Sequence, residues 1–540
     1  MNLTKCLLSF VLVTALLTPI IKADDQSCSC ACIQLCDEPC TVLSRSGHIY
    51  GKNVYVPRSQ GSNLARQLMG VEEKIHKFGN ECFYGVGTVA VEYQQMFNGS
   101  DRNISKWFSS TGNATMSYGL NPTPATNTNN LDLNGYNWGY TGSGTVSFCP
   151  KKNDFIVDLN VYLGLDSLFC GMWARLDIPF VRTSFDVGLI DSQTGDPSAF
   201  LDGNLYGASA DFAKVYNTFK DALKGDKAVG DLPVLKYAKI CGKQTATSVA
   251  NIRFTWGYDW FRRECWHFAS GLLFVAPVGT KPTAEYMFEP IVGNYRRLEI
   301  GSITNAAYEI WQNCDATQTV SVFLDAYMTT IFPACNKRTL SIKPENLSIE
   351  DRTWSQYLML KTYNSSNQVV GQERVANIST GDLKVGASIE GALAVMLQWN
   401  CNCLMSGLGY ELWGRSREHA RYRCFEIDKN KYALQGLSLW DGTTTSGVTG
   451  NNANAPTSDI STAGTTTSFT TGSYLTDDDL DVCSALHPGA HSNKIFGFFG
   501  YNWCECTWQP FVLIGGEAEF GSSDAAVSQW GIIAKGGVNF

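Results

Sequence analysis

Residues 154–166 read DFIVDLNVYLGLD. Phe155, Val157, Leu159, Val161, Leu163 and Leu165 share one face. Asp154, Asp158, Asn160, Tyr162 and Asp166 fall on the other, with Ile156 the exception. A side-chain period of two belongs to a strand, because a helix at 3.6 residues per turn would scatter both sets. One apolar face and one charged face, held over about 9–11 residues, meets the length and pattern of a membrane-spanning β-strand.

The pattern returns along the chain. In 250–258 the apolar set is Ala250, Ile252, Phe254, Trp256 and Tyr258, and in 393–399 it is Leu393, Val395, Leu397 and Trp399. In 320–328 it is Val320, Val322, Leu324, Ala326 and Met328. Residues 404–415 set Leu404, Leu408, Tyr410 and Leu412 against Glu411 and Arg415. Residues 508–520 set Trp508, Val512, Ile514, Ala518 and Phe520 against Gln509, Glu517 and Glu519, although Phe511 and Leu513 share that second face. The segment 172–180 begins in phase and slips near Pro179, which predicts a bulge or a strand end there.

The strands pair around short turns near DSLFCG (166–171), FRREC (261–265), QNCDA (312–316), NCNC (400–403) and WCEC (503–506). Each turn holds a cysteine and has a large aromatic beside it: Phe169, Trp260, Trp266, Trp311, Trp399, Trp503 or Trp508. Between the pairs lie long polar segments, near 98–145, 186–247, 332–384 and 441–493. The last includes a low-complexity Gly/Thr/Ser stretch (about 441–480), and 211–225 reads as a short amphipathic helix. Short turns at one end and long loops at the other are the layout of an outer-membrane barrel. The expected fold class is therefore all-β: a transmembrane antiparallel β-barrel of 14–18 strands over 81–540, with short periplasmic turns and long extracellular loops. The tryptophans would form an interfacial girdle. The final segment alternates through Trp530, Ile532, Val538 and the terminal Phe540, and resembles the C-terminal assembly signal of such barrels, which implies recognition by a barrel assembly machinery.

Residues 1–23 have the charge and apolar stretch of a cleaved secretory signal peptide, an uncleaved anchor helix being the alternative. Without Cys6, 18 of the 19 cysteines remain, an even and high number for an exported chain. Cys28, Cys30, Cys32, Cys36 and Cys40 crowd into a segment, 24–80, expected to be periplasmic. They match no zinc spacing. They join Cys170, Cys265, Cys314, Cys401, Cys403, Cys504 and Cys506 as disulfide candidates, between turns, to the N-terminal segment or to a neighbouring envelope protein; unpaired turn cysteines are the alternative.

The cysteine-rich N-terminus (CSCACIQLCDEPC), the paired turn cysteines beside Trp (WNCNC, WCEC) and the terminal Phe resemble the cysteine-rich major outer membrane proteins of the chlamydial type, over short stretches only. That resemblance implies a porin of roughly 16 strands, disulfide-cross-linked and trimeric.

A barrel of that size encloses an aqueous lumen. Its wall would carry Asp154, Asp158, Arg175, Asp177, Arg253, Asp325, Glu411, Arg415, Glu517, Glu519 and Lys535, with Asp166 and Asp259 on the same faces. Acids outnumber bases there, which suggests a mild cation preference. The function expected is passive diffusion of small solutes and ions, with a structural role through cross-linking in the envelope. A surface adhesin or non-conducting barrel is one alternative, and a secreted disulfide-rich β protein is another. Catalysis is not expected: His267 beside Cys265 is the one pair of nucleophilic type, and no HExxH, P-loop or GxSxG occurs. No cofactor or metal is implied. A net charge of −8 argues against nucleic acid.

Overall fold

The computed structural model describes residues 33–34, 53–77, 84–100, 104–105, 107, 115–119, 133–195, 216–229, 232–343, 354–366, 369–434, 474–503, 508–521 and 526–540. The signal peptide, most of the Cys-rich segment, Cys504, Cys506 and the low-complexity stretch lie outside them.

Twelve strands follow one another in chain order: β1 Tyr84–Met96, β2 Lys151–Gly164, β3 Met172–Asp186, β4 Ile252–Arg262, β5 Trp266–Ala276, β6 Glu299–Gln312, β7 Gln318–Thr339, β8 Thr380–Cys401, β9 Leu404–Arg415, β10 Ala490–Asn502, β11 Pro510–Gly521 and β12 Gln529–Asn539. Each pairs antiparallel with its neighbours, and β12 closes on β1 from Met96↔Gln529 to Val86↔Asn539. The result is a closed, all-β antiparallel barrel with no free edge in the ring.

The count is twelve, below the expected 14–18. The other short strands lie within the long connections, where 115–119, 144–148 and 189–193 form one small sheet with 133–134, and 359–363, 369–374 and 432–434 form another. These strands lack the spanning length of alternation.

All five expected turns are present, as connections 165–171, 263–265, 313–317, 402–403 and 503–509. They fall at one end of the barrel. The opposite end carries connections 97–150, 187–251, 277–298, 340–379, 416–489 and 522–528. Of the expected helix within 211–225, residues 211–215 lie outside the described residues, and the described part is helical over Phe219–Lys224.

The interruption at Pro179 does not occur. Strand β3 keeps an unbroken register on β2 through Asp158↔Pro179 to Lys151↔Asp186. Pro179 sits where β3 exchanges its other partner, from β4 (up to Asp177) to residues 243–249 (from Phe180). A ladder N–H is dispensable at that junction, and the Pro179 carbonyl still accepts from the Ala250 amide at 2.9 Å.

The outward face is apolar over the middle of the wall: Val89, Val91, Phe155, Leu159, Phe254, Leu272, Leu393, Leu397, Leu412, Ile495, Ile514 and Ile532 are all exposed. The girdle aromatics Phe169, Trp260, Trp266, Trp311, Trp399, Trp503 and Trp508 are exposed at the short-turn end, joined by Tyr308, Tyr501 and Phe540. Such a surface suits hydrocarbon bounded by an interfacial belt.

Candidate functional site

The site is the barrel interior, and the chain itself fills it. Residues 53–77 run through the ring from the long-loop end to the short-turn end. This overturns, for those residues, the expectation that 24–80 is a periplasmic segment outside the barrel. The physical reason is charge and shape: the segment supplies Arg58, Arg66 and small apolar side chains to a wall rich in carboxylates.

Midway lies a short helix, α1, Leu64–Leu68. The Asn63 side chain caps it by accepting from the Arg66 amide at 3.2 Å, and its own amide donates to Glu517 at 3.0 Å. Leu64, Ala65, Leu68 and Met69 are fully buried. Gly70 follows with φ +71, where a Cβ would come within 2.5 Å of Leu513 Cδ2. The turn out of the helix therefore requires glycine.

Seven of the eleven expected lumen charges bond directly to this plug. Arg66 donates to Asp158 (Nε, 2.7 Å) and to Glu92 (Nη1, 2.5 Å). Lys535 Nζ donates to the carbonyls of Arg66, Gln67 and Met69 at 2.9, 3.2 and 2.9 Å, binding the unsatisfied C-terminal end of α1. Glu411 accepts from Arg58 and from the Ala65 amide (3.2 Å), and Glu519 accepts from Arg58 at 3.3 Å. Glu517 holds Asn63, Arg253 Nη1 donates to Ser62 Oγ at 3.1 Å, and Arg415 donates to the Val56 carbonyl at 2.8 Å.

The other four pair within the wall. Lys152 meets Asp154, Arg175 lies 3.6 Å from Asp177 and 3.8 Å from Asp325, and Asn160 and Asn305 donate to Asp177 and Asp325. Asp166 sits instead at the short-turn end, gripped by Arg262 at 2.6 Å. Asp259 meets the plug's His76 at 2.5 Å.

All eleven are buried, none more than 6% exposed. They do not line open water. The acid excess of the wall is also smaller than the eleven residues suggest, because Arg58, Arg66 and Lys494, three cations outside that set, pair with Glu92, Asp158, Glu411, Glu517 and Glu519.

Sequence reasoning missed Arg58, Arg66, Glu72, His76, Glu92 and Lys494. A signal was present in the exceptions to the alternation. Ile156, Phe511 and Leu513 point inward and are buried, as are Phe323 and Ile533. Phe511 packs under Lys74 of the plug, with Nζ 5.0 Å from the ring centre. Apolar residues on an inner wall mean that the wall touches protein rather than water.

His267 and Cys265 are not brought together as a pair. His267 Nε2 lies 2.5 Å from Asn305 Oδ1, and Asn305 Nδ2 donates to Glu72 at 2.8 Å, whereas Cys265 is an exposed thiol at the turn. Among the expected disulfide cysteines, Cys170, Cys265, Cys314 and Cys401 carry free thiols, so the turns are not bridged to one another through those four. The disulfide-bonded cysteines among the described residues are Cys335, Cys424 and Cys483, at the long-loop end. Those three were not anticipated.

At that end the loops form a packed cap. Glu418 accepts from Arg297 at 2.6 Å and lies 3.5 Å from Arg338. Burial alone would raise the Glu418 carboxyl, but Arg297, Arg338 and Arg415 hold it well below the usual range. His487 donates its backbone amide to Glu418 at 3.0 Å, and its ring lies 4.9 Å from that of Trp107 at an interplanar angle of 34°. Burial and the Arg415 guanidinium push the His487 imidazole down to about 3.

No family model matches the chain, and no curated protein matches it. Among solved structures it is similar to an outer membrane channel from Pseudomonas putida F1 (10% identity, 85% of this chain and 95% of that one, TM-score 0.33). It is also similar to the translocator domain of the autotransporter NalP from Neisseria meningitidis (6%, 88% and 94%, TM-score 0.26) and to a Pseudomonas aeruginosa FadL homologue (8%, 91% and 99%, TM-score 0.28).

Proposed function

We propose that this chain is an outer-membrane β-barrel of the channel type, in which passage of small solutes and ions depends on rearrangement of the plug. The observation that carries the reading is the pairing of two surfaces: a closed ring apolar on its outside, and an interior whose charges are spent on the chain's own residues 53–77. An apolar belt without an edge suits a bilayer. The plug is held by apolar contacts at Leu64, Leu68 and Met69 and by ion pairs and hydrogen bonds, and the polar partners are the ones that water can replace when the plug moves. The short turns would face the periplasm, where the exposed thiols at Cys170, Cys265 and Cys314 supply attachment points for cross-links to envelope neighbours. The loops would face outward. Trimer formation remains part of this reading.

The test is planar-bilayer conductance of the full chain, first shown to be folded by heat-modifiable migration, beside Arg66→Ala. Infrequent stepwise openings in the parent and a several-fold higher open fraction in the variant are expected. Silence from both folded proteins would overturn the channel reading. It would favour the second one, a non-conducting structural or adhesive barrel, which the dense packing of the plug also supports.

A further inference from the structure

The loop cap buries more positive charge than its carboxylate offsets. Arg297 in the connection 277–298, Arg338 at the loop-side end of β7 and Arg415 at the end of β9 gather around Glu418. Arg297 Nη2 donates to Glu418 at 2.6 Å, and Arg338 Nη2 lies 3.5 Å from the same oxygen. All four side chains are buried: Arg297 is 1% exposed, Arg338 3%, Arg415 5% and Glu418 3%. Among the described residues, no other carboxylate lies within ion-pair distance of Arg297 or Arg338. The Tyr295 ring centre lies 5.1 Å from the Arg297 guanidinium and 4.9 Å from that of Arg338, which softens the two charges without neutralising them.

The guanidiniums also keep donors in hand. Nε and Nη1 of Arg297, Nε and Nη1 of Arg338 and Nε of Arg415 meet no acceptor among the described residues. A buried charged donor without an acceptor is costly, so this arrangement favours an acceptor from outside the chain. Space for one adjoins Arg338. That side chain and Tyr295 line a cavity of about 30 Å³, with Asn53, Tyr55, Ile291 and Lys337 on its other walls. A single water needs about 10–15 Å³ on this measure. The cavity therefore takes two water-sized groups, which is what two oxygens of an oxyanion require. Glu289 also lines it, but its carboxylate accepts from the amides of Thr283 at 2.8 Å and Tyr286 at 3.3 Å. The plug enters the barrel here. Tyr295 Oη donates to the Tyr55 carbonyl at 2.9 Å, and Arg415 Nη2 donates to the Val56 carbonyl at 2.8 Å.

We propose that the loop cap binds a small free oxyanion, phosphate-like in shape and charge, on Arg338 and its neighbouring guanidiniums where the plug enters the barrel. A planar guanidinium presents paired N–H groups that match two oxygens of an oxyanion, which a spherical halide does not engage as a pair. The donors lie inside the cap, out of reach of a headgroup held in the bilayer. The bound anion offsets the charge that Glu418 leaves over, and so steadies Tyr295 and Arg415 in the positions from which they hold Tyr55 and Val56. It acts as a clamp on the plug's entry. The site holds whether or not the barrel conducts, so bilayer silence leaves it standing.

The experiment is calorimetric titration of the folded, heat-modifiable full chain with inorganic phosphate at neutral pH, with ionic strength held constant by chloride. One saturable site per chain is expected, weakened about tenfold or more in Arg338→Gln, the loss of one charge-assisted contact. Absence of saturable binding to the folded parent would overturn the proposal, and equal affinity in the two proteins would overturn it by placing the anion elsewhere. Hydrogen exchange of the parent needs no variant. Phosphate should slow amide exchange in residues 53–56 and 294–297 and leave the short-turn end unchanged. Slowing spread evenly over the chain would be a bulk salt effect and would count against the site.

Discussion

The two faces of the barrel wall follow one alternation and obey different rules. Outward residues such as Leu393, Val512 and Ile514 are exposed and, in the proposed bilayer setting, would meet a uniform medium, where what matters is that each is apolar. Inward residues such as Glu92, Glu411 and Lys535 each meet a particular atom of the plug. The outer face is therefore a sum of nearly independent terms. The inner face is a network, in which removing one member strands another. The difference teaches that a strand pattern assigns a residue to a face but not to a task.

Five measurements would break or sharpen this contrast. The largest effect should come from Arg66→Ala, which leaves Glu92 and Asp158 buried without their cation. Loss of one partner from a buried pair costs about 3–5 kcal/mol. Denaturant titration of the heat-modifiable band should show it, and adding Glu92→Gln should recover part of the loss. Strict additivity of the two changes would mean the inner face is no network.

On the outer face, Leu393→Arg should destabilise by about 2–4 kcal/mol, the cost of a charge near the bilayer midplane. Refolding into vesicles at stepped denaturant concentrations reads it directly, and a neutral result would show that this belt does not meet hydrocarbon. Lys535→Met comes next. It leaves three carbonyls at the end of α1 without their donor, for about 1–3 kcal/mol. Proteolysis or hydrogen exchange should localise the loosening to the plug, with the barrel band unchanged.

Acid should act on the inner side only, through the loop cap. The His487 imidazole is held near 3 when folded, below its ordinary value of about 6.5. Its contribution is whole above pH 6.5 and falls as pH drops toward 3, by about 1.4 kcal/mol per unit. Glu418 has the same sign, since its depressed carboxyl favours the fold above the usual carboxylate range and loses that contribution on acidification. Loop-cap protection measured from pH 7 to pH 4 should decline, and His487→Phe should flatten the upper part of the curve. The smallest effect belongs to Val512→Leu on the outer belt, within about 0.5 kcal/mol. A larger change there would mean that this face contacts something more specific than lipid.

Much of the fold was legible in the chain. Leu159, Phe155 and Leu412 point out and Asp158 and Glu411 point in because a pleated strand has no other way to place alternate side chains. The five turns were legible because alternation stops there and cysteine and tryptophan cluster. The strand number was not: 115–119 and 359–363 are strands by hydrogen bonding, yet they belong to loops, and only the pairing of β12 with β1 counts the ring. The plug was not legible either, although the inward Phe511 and Leu513 hinted at a dry interior. Its sequence, NVYVPRSQGSNLARQLMGVEEKIHK, has no period and forms a five-residue α-helix and one turn of 3-10 helix at Glu72–Lys74.

By itself, then, the sequence determined an antiparallel wall with an apolar outside, a charged inside and two unlike ends, since each follows from local alternation and turn chemistry. The tertiary structure alone decided what the inside touches. Arg66 lies 26 residues from Glu92 and 92 from Asp158 in the chain, and Lys535 lies 469 residues from Arg66. No local period encodes partners that far apart; closure of the ring around the plug is what brings them within hydrogen-bonding distance.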